Sequence, residues 1–368
     1  MPGTVERRLL VGYASHRGQV REGNEDNFCV VVPPAVAPEI DGFLAVADGM
    51  GGHQAGEVAS GYVVDKLAEL FSSQAYRQMV EYSPQHGDYY VAVLKEILEQ
   101  INDGLTNLAA GQAALQGMGT TATVALLFGG RVFVGHVGDS RLYLLRAGEF
   151  RQVTQDHSWV EEQVRSGAMS QEEAKKHSRK NVLTRSLGNG FGVRVDRLTL
   201  PVQQGDLLLL CTDGLTNVVD DGEIAAVIKA QEDPQAACDA LVELANRRGG
   251  PDNITVVIAR LAAGTGGATK TGGRVVGRQQ TKEQAAITQK IVLRPAAVRR
   301  QEARAKSPLA LALIAASFLL GGAMVAVVLL LLSPQFRDAP LFLVASAAIV
   351  GALCGAILFL IAERILRR

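Results

Sequence analysis

The sequence predicts an α+β fold with antiparallel sheets, followed by two transmembrane helices. Within residues 1–262, apolar runs of strand length occur in neighbouring pairs across short turns, and few helices lie between them to act as crossovers. Helical periodicity is confined to a few separate segments. Near the C-terminus, two uninterrupted apolar stretches are each long enough to cross a bilayer.

Each element of the α+β part is predicted from a local pattern. Residues 42–47 are apolar and predict a buried strand that ends at Asp48, before a glycine-rich turn. Apolar side chains at helical spacing predict helices around 58–70 and 90–108. The remaining predictions, in chain order, are a hairpin of 120–128 and 131–137, a hairpin of 142–145 and 150–153, a polar helix-prone segment over 157–180 with a capping box at Ser170 and Glu173, strands over 196–200 and 207–211, a helix from Pro234 to about Arg247, and a strand over 254–261.

Residues 263–368 have a different composition from the α+β part. Residues 263–306 are rich in Gly, Thr, Lys and Arg with little apolar periodicity, which predicts a basic flexible linker. Transmembrane helices are predicted at 307–332 and 341–362, because neither stretch contains a charged side chain and a bilayer core needs about 20 residues. Basic residues flank the pair on both outer sides, whereas the short loop between them offers only Arg337. The positive-inside bias therefore predicts that both ends face the cytoplasm.

Charge is distributed unevenly along the chain. Residues 1–262 contain 23 Lys and Arg against 33 Asp and Glu, a net charge of −10, whereas residues 263–306 contain 10 against 2, a net charge of +8. A basic linker beside hydrophobic segments favours anionic membrane lipids over nucleic acid as its partner. The 4 cysteines have no paired spacing, which is typical of a reducing compartment and predicts neither a zinc site nor a disulfide framework.

Five short motifs place carboxylates beside turns. They are Arg-Glu-Gly-Asn-Glu-Asp at 21–26, Asp-Gly-Met-Gly-Gly-His at 48–53, Gly-Asp-Ser-Arg at 138–141, Cys-Thr-Asp-Gly at 211–214, and Gly-Gly-Pro-Asp-Asn at 249–253. Three of the motifs set an acidic residue against a glycine at the end of an apolar run, where a carboxylate destabilises a strand unless something compensates it. Singly, Asp48 is typical of a turn, Asp213 of a helix N-cap and Asp252 of an Asx turn. Together they favour a shared divalent metal centre.

The five motifs, in this order, resemble those of the metal-dependent serine/threonine protein phosphatases of the PPM (PP2C) family in their bacterial form. The resemblance runs from about Val11 to Leu261 and implies a phosphatase domain over 8–262. It also implies a PP2C-like β-sandwich of two antiparallel sheets flanked by helices, in αββα layers. The polar segment 157–185 corresponds to the family's variable flap, which borders the site.

The resemblance implies a binuclear Mn²⁺ or Mg²⁺ centre. Asp48 with the backbone carbonyl of Gly49, Asp213 and Asp252 match the family's metal ligands, and Asp139 matches the aspartate of a third, weaker metal site. Such a centre clamps a phosphoryl group and acidifies a water, and hard ions of this kind take oxygen ligands and keep several waters.

Three further residues of the first motif match family residues that bind the substrate phosphate or lie in the outer shell around the metals. Glu25 and Asp26 match residues around the metals, which act largely through water. Arg21 matches the arginine that grips the substrate phosphate, and a planar guanidinium suits bidentate phosphate binding. A surface arginine and a solvated acidic loop are the alternatives for these positions.

The sequence therefore predicts a protein serine/threonine phosphatase anchored in the cell membrane, with its catalytic domain and both termini in the cytoplasm. Phosphorylated proteins are the predicted substrates, and a cognate serine/threonine kinase is the predicted opposing enzyme. Two alternatives stay open: a small-molecule phosphatase on the same scaffold, and an inactive membrane adaptor that binds phosphoproteins. The usual sign of such an adaptor is a missing metal aspartate, and all of them are present here.

Overall fold

Two antiparallel sheets form the centre of the fold. The computed structural model describes residues 7–32, 40–52, 54–72, 87–263 and 274–277. In chain order the strands and α-helices are β1 Arg7–His16, β2 Asp26–Val31, β3 Ile40–Met50, α1 Gln54–Ser72, α2 Gly87–Gly111, β4 Gly119–Thr120, β5 Ala122–Phe128, β6 Arg131–Val137, β7 Arg141–Arg146, β8 Glu149–Gln152, α3 Trp159–Arg165, α4 Gln171–Lys176, β9 Asp196–Pro201, β10 Leu207–Cys211, α5 Asp213–Thr216, α6 Asp221–Ala230, α7 Pro234–Arg247, β11 Ile254–Ala263 and β12 Arg274–Gly277. One sheet has the order β1-β11-β10-β7-β8. The other has the order β12-β2-β3-β5-β6-β9, with β4 paired to β3.

The strands are apolar on both faces because both faces of each sheet are covered. In β3, Leu44 and Val46 point into the core between the sheets, whereas Phe43 and Ala45 face the helical layer of α1 and α2. In β10, alternate leucines enter the inter-sheet core and a second outer core beneath α6 and α7. The layers are therefore helix, sheet, sheet and helix, as an αββα sandwich requires, and the continuous apolar runs follow from this double burial.

The elements predicted from local patterns are present. Strand β10 and helix α7 begin and end at the predicted residues, and Ser170 and Glu173 form the predicted capping box. Strand β3 continues past the predicted turn at Asp48, because Gly49 and Met50 pair with β4.

Several elements were not predicted, among them β1, β2, the short helix α5, α6 and β12. Strand β1 has only a short apolar run, β2 begins with two polar residues, and α6 lies in a segment that carries no strong periodicity. Strand β12 lies inside the segment that was predicted to be a flexible linker, and it pairs antiparallel with β2. The prediction of a flexible linker is therefore wrong at residues 274–277. Backbone pairing to an open sheet edge does not require an apolar pattern, so the sequence offers no signal for it.

The predicted transmembrane helices at 307–332 and 341–362 lie outside the described residues. Within the described part of the chain, none of the helices combines the length and apolar character that crossing a bilayer requires.

Candidate metal centre and substrate cleft

The five motif aspartates meet at one end of the sandwich. Asp26 begins β2 and pairs with Asp48 near the end of β3. Asp139 lies in the turn between β6 and β7, Asp213 follows β10, and Asp252 precedes β11. Since β10 lies between β7 and β11, and antiparallel strands alternate in direction, these starts and ends share one rim of the two sheets.

Asp26 joins the two sheets through a threonine. Its Oδ2 accepts a 2.8 Å hydrogen bond from the Thr212 hydroxyl, and the same hydroxyl oxygen accepts the Thr255 backbone N–H at 2.9 Å. Asp26 is only 4% exposed, and its Oδ1 has no hydrogen-bond partner within the described residues. Burial raises the pKa of Asp26 to about 7, against the lowering effect of the hydroxyl hydrogen bond. A buried acceptor that is left open in this way suits a cation or a water held by one.

Asp48 is held by its backbone, which leaves its carboxylate available. The Asp48 N–H donates to Thr121 Oγ1 at 2.9 Å, and the Thr121 N–H donates back to the Asp48 carbonyl at 2.9 Å. The Thr121 hydroxyl shares a buried 2.7 Å hydrogen bond with the hydroxyl of Ser140, the neighbour of Asp139 in its motif. The two motifs are therefore locked together by hydroxyl groups.

Gly49 is required by close packing. A Cβ at this position would lie 2.2 Å from the Gly56 carbonyl oxygen and 2.7 Å from that of Glu25. The Gly49 N–H also donates to the Glu25 carbonyl at 3.2 Å. The glycine thus lets the start of α1 and the loop before β2 approach the end of β3.

The carboxylates of the rim repel one another. Burial, followed by the charges of Asp26, Asp213 and Asp139, raises the pKa of Asp48 well above its ordinary value. Burial and the Asp252 charge raise the pKa of Asp213 to about 6, and burial and the Asp213 charge raise that of Asp139. The pKa values of Asp48, Asp139 and Asp213 stay raised although Arg21 and Arg141 lie nearby, so these carboxylates are not fully compensated, and a divalent cation would compensate them.

The arrangement fits hydrated ions better than a closed cage. Among the described residues, no three acidic, histidine or cysteine side chains converge closely enough to hold one ion by themselves. Mg²⁺ keeps several waters and is bound by one or two carboxylates, so few direct ligands suffice. Asp48, Asp139, Asp213 and Asp252 are each partly exposed, which leaves room for those waters.

Arg21 lies at the edge of a cleft beside the proposed metal centre. Its Nη2 donates to Asp252 Oδ2 at 2.9 Å, while its side chain stays 52% exposed. Burial lowers the pKa of Arg21, but the Asp252 charge and hydrogen bond outweigh this and raise it. The cleft has a volume of about 310 Å³ and is lined by Val20, Arg21, Glu22, Gly23, Glu25 and Gly52. The guanidinium therefore faces both the acidic rim and open space.

Asn253 organises the loop that carries Arg21 and Glu25. Its Oδ1 accepts the Glu25 N–H at 2.8 Å, and its Nδ2 donates to the carbonyls of Arg17 and Gly23, each at 2.9 Å. Asn253 is 6% exposed, so these bonds are shielded from water. Asn253 belongs to one of the five motifs, but no role was predicted for it from the sequence, since an asparagine after Asp252 is also typical of a turn.

Fold and rim together define a class of protein, the metal-dependent phosphatases whose motifs the sequence resembles. The protein phosphatase 2C family model matches residues 17–246. The chain is 38% identical over 246 residues to the serine/threonine phosphatase stp of Listeria innocua, covering 67% of this chain and 93% of that one. It is also 38% identical over 253 residues to the protein phosphatase PstP of Mycobacterium tuberculosis, covering 68% of this chain and 45% of PstP.

Solved structures agree with these matches. The catalytic domain of PstP in complex with two manganese ions aligns with a TM-score of 0.59 and 36% identity, covering 70% of this chain and all of that domain (100%). The phosphatase Stp1 of Staphylococcus aureus aligns with a TM-score of 0.62 and 32% identity, covering 72% of this chain and 100% of that one. The chain belongs to the protein phosphatase 2C family. Its predicted enzyme class, a metal-dependent protein serine/threonine phosphatase, and its PP2C-like fold are confirmed.

Proposed function

We propose that this protein is a membrane-anchored phosphatase that removes phosphate from phosphoserine and phosphothreonine in cytoplasmic proteins, using two Mn²⁺ or Mg²⁺ ions. The observation that carries the proposal is the convergence of Asp26, Asp48, Asp139, Asp213 and Asp252 at one rim of the sandwich. The solved complex of PstP with two manganese ions supports Mn²⁺ as the metal.

Asp48, Asp213 and Asp252, with the Gly49 carbonyl, are the proposed metal ligands. When bound, the two ions would supply charge neutralisation for a phosphoryl group and would lower the pKa of a bound water. The residues of the chain supply position: Thr121 fixes the backbone of Asp48, and Asn217 Nδ2 donates to Asp213 Oδ2 at 2.9 Å. Asp139 is proposed to serve a third, weaker metal site.

Asp26 and Glu25 are proposed to orient water around the ions. The open Oδ1 of Asp26 supports this role, since a water bound to a metal would be its donor. Arg21 is proposed to bind the substrate phosphate, because its guanidinium is half exposed at the cleft and has donors beyond the one that reaches Asp252.

Membrane anchoring is proposed from the sequence. The two charge-free stretches within 307–332 and 341–362 support two spans, and the basic flanks support cytoplasmic ends. The basic segment 263–306 would hold the phosphatase near anionic lipids. A cytoplasmic serine/threonine kinase would supply its substrates.

The test of activity uses the purified full chain with Mn²⁺. We expect hydrolysis of a phosphothreonine peptide that stops on addition of chelator, and rates with sugar and nucleotide phosphates at least about tenfold lower. Comparable rates with small phosphates would favour the small-molecule alternative. Tight phosphopeptide binding without turnover would identify an adaptor.

The test of topology uses reporter fusions after Arg368 and within the loop 333–340. We expect the C-terminal fusion to be active only as a cytoplasmic reporter and the loop fusion only as an external one. A C-terminal reporter that is active only outside the cytoplasm would contradict the proposed orientation.

A further inference from the structure

A buried group of polar side chains lies directly behind the turn that carries Asp139. His136 is at the end of β6, and His157 begins the flap, residues 157–185. Their rings are 4.7 Å apart and both side chains are buried. Arg185 and Asp196 complete the group from the far end of the flap and the start of β9. None of these four residues has a role in the proposed chemistry.

His157 is joined to Gly138 by two hydrogen bonds. The Gly138 N–H donates to His157 Nδ1 at 3.1 Å, and the His157 N–H donates to the Gly138 carbonyl at 2.8 Å. We call this pair of bonds the clasp. Gly138 has a φ of 108°, and a Cβ there would lie 2.5 Å from Thr121 Cγ2. Position 138 therefore requires glycine, because any other residue would be strained at this φ and would collide with Thr121. The clasp fixes the peptide that joins Gly138 to Asp139.

The clasp determines which nitrogen of His157 carries the proton. A backbone N–H can only donate, so Nδ1 is the acceptor, and the proton of the neutral ring is on Nε2. Nε2 lies 3.1 Å from Asp196 Oδ2 and 3.1 Å from Arg185 Nη1, and of these two only the carboxylate can accept its proton. Asp196 Oδ1 also accepts from Arg185 Nη1 at 2.8 Å. Burial lowers the pKa of His157, which favours this neutral form.

The same residue is anchored to both ends of the flap. The Thr184 N–H donates to the His157 carbonyl at 2.8 Å, next to Arg185. Ser158 and Leu183 form an isolated bridge one residue further in. A single histidine thus connects the Asp139 turn to the base of the flap through its carbonyl, its N–H and both ring nitrogens.

We propose that His157 is a positioning residue that holds the Asp139 turn for metal binding and ties its placement to the base of the flap. The inference rests on the proposed third-site role of Asp139. Residues that orient a metal ligand typically change metal affinity about 10–100-fold when they are substituted, without contacting the ion themselves.

Two variants of the same chemistry separate positioning from core packing. In His157→Asn, an amide oxygen can occupy the place of Nδ1 and keep the bond from the Gly138 N–H. In His157→Gln, the amide reaches the place of Nε2, and the bond to Gly138 is lost. Both variants replace the ring by a smaller neutral amide, so a role in packing alone predicts similar behaviour.

The first measurement is Mn²⁺ titration of the full chain by calorimetry. We expect His157→Gln to weaken the lowest-affinity class of sites at least about tenfold while the tighter sites stay occupied, and His157→Asn to stay within about threefold of wild type. Asp139→Ala is the reference and should lose the same class of sites. A double variant of His157→Gln and Asp139→Ala should bind Mn²⁺ no more weakly than Asp139→Ala alone.

The second measurement is amide hydrogen exchange in the metal-free chain, which tests the clasp even if Asp139→Ala shows that no third site exists. We expect the peptide containing Gly138 to exchange at least about tenfold faster in His157→Gln than in His157→Asn. Equal exchange and equal Mn²⁺ binding in the two variants would overturn the proposal. If His157→Gln does not fold, Asp196→Asn replaces it: faster exchange at Gly138 supports the proposal, and wild-type exchange contradicts it.

Discussion

The carboxylates at the two ends of strand β10, Asp206 and Asp213, lie in opposite electrostatic environments. At its start, Asp206 is 1% exposed and fully compensated: Arg146 donates to both carboxylate oxygens, at 2.9 and 2.6 Å, and the Gln203 N–H donates at 2.8 Å. At its end, Asp213 faces Asp48 and Asp252, and its pKa is raised to about 6 by burial and by the Asp252 charge. Strand β10 is thus flanked by an ion-paired carboxylate at its start and by a carboxylate among other carboxylates at its end.

The difference separates stability from function. A buried carboxylate with an arginine and a backbone donor contributes to the folded state, because removing either partner leaves a charge without compensation. A carboxylate among other carboxylates costs stability until a cation arrives. The fold therefore concentrates its electrostatic cost at the rim where the proposed metal ions bind, and each prediction below tests that contrast.

The largest expected effect is on catalysis. Asp213→Asn should lower the rate of phosphothreonine peptide hydrolysis in Mn²⁺ at least about a hundredfold, because charge stabilisation by a metal centre is worth several kcal/mol. Asp206→Asn is the matched control at the other end of the strand, and its rate per folded molecule should be close to that of wild type. Full activity in Asp213→Asn would remove Asp213 from the proposed metal ligands.

The next effect is on stability, and it runs in the opposite direction. In chelator, Asp206→Asn should lower the free energy of unfolding by about 2 kcal/mol, because it weakens the charge-assisted hydrogen bonds that Arg146, 32% exposed, donates to the buried carboxylate. Asp213→Asn should cause no loss under the same conditions, since it removes one of several repelling charges. Urea unfolding of both variants measures the difference, and a larger loss for Asp213→Asn would reverse the comparison.

Arg21 provides a smaller test at the rim. Arg21→Ala should raise the KM for a phosphopeptide about tenfold and change kcat less, if the guanidinium grips the phosphate equally in the ground and transition states. Arg17→Ala is a suitable control, because Arg17 lies on the same loop and donates to the Glu22 carbonyl at 3.3 Å. An unchanged KM in Arg21→Ala would contradict phosphate binding by this residue.

The smallest effect is a pH dependence of stability. Burial, together with the neighbouring His157, lowers the pKa of His136 to about 3. The unfolded chain therefore takes up a proton as the pH falls through about 6.5 while the folded chain does not, so acid favours unfolding. Relative to His136→Gln, wild type should lose about 1.4 kcal/mol between about pH 7.5 and 5.5. The comparison with the variant is needed because the raised pKa values of the rim carboxylates act with the opposite sign. An equal slope in both proteins would show that His136 is not held neutral.

The sequence predicted the position of the acidic rim better than its construction. Asp26, Asp48, Asp139, Asp213 and Asp252 could be found because each stands at an abrupt change from an apolar run or within a glycine-rich turn. Their supports could not be found, because the hydroxyls that fix them come from distant strands. Thr121, for example, sits 73 residues from the Asp48 N–H that it accepts, and only the pairing of β3 with β4 and β5 brings the two together.

Periodicity also explains which elements were missed. Strand β2 begins with the polar residues Asp26 and Asn27, of which Asp26 belongs to the acidic rim, so its first residues do not look like a strand. Asn27 is nevertheless buried, and its Nδ2 donates to the Ser60 hydroxyl at 2.8 Å. Function and tertiary contacts override the local pattern at such positions.

The most direct test is the stabilisation that Mn²⁺ confers on three proteins: wild type, Asp206→Asn and Asp213→Asn. A ligand that binds only the folded state, present at a hundred times its dissociation constant for wild type, should raise the free energy of unfolding by about 2.7 kcal/mol per site. The account predicts that Asp206→Asn, although less stable in chelator, gains as much from Mn²⁺ as wild type, whereas Asp213→Asn gains less than about half as much. Equal stabilisation of Asp213→Asn and wild type would contradict the claim that the acidic end of β10 is built to hold metal.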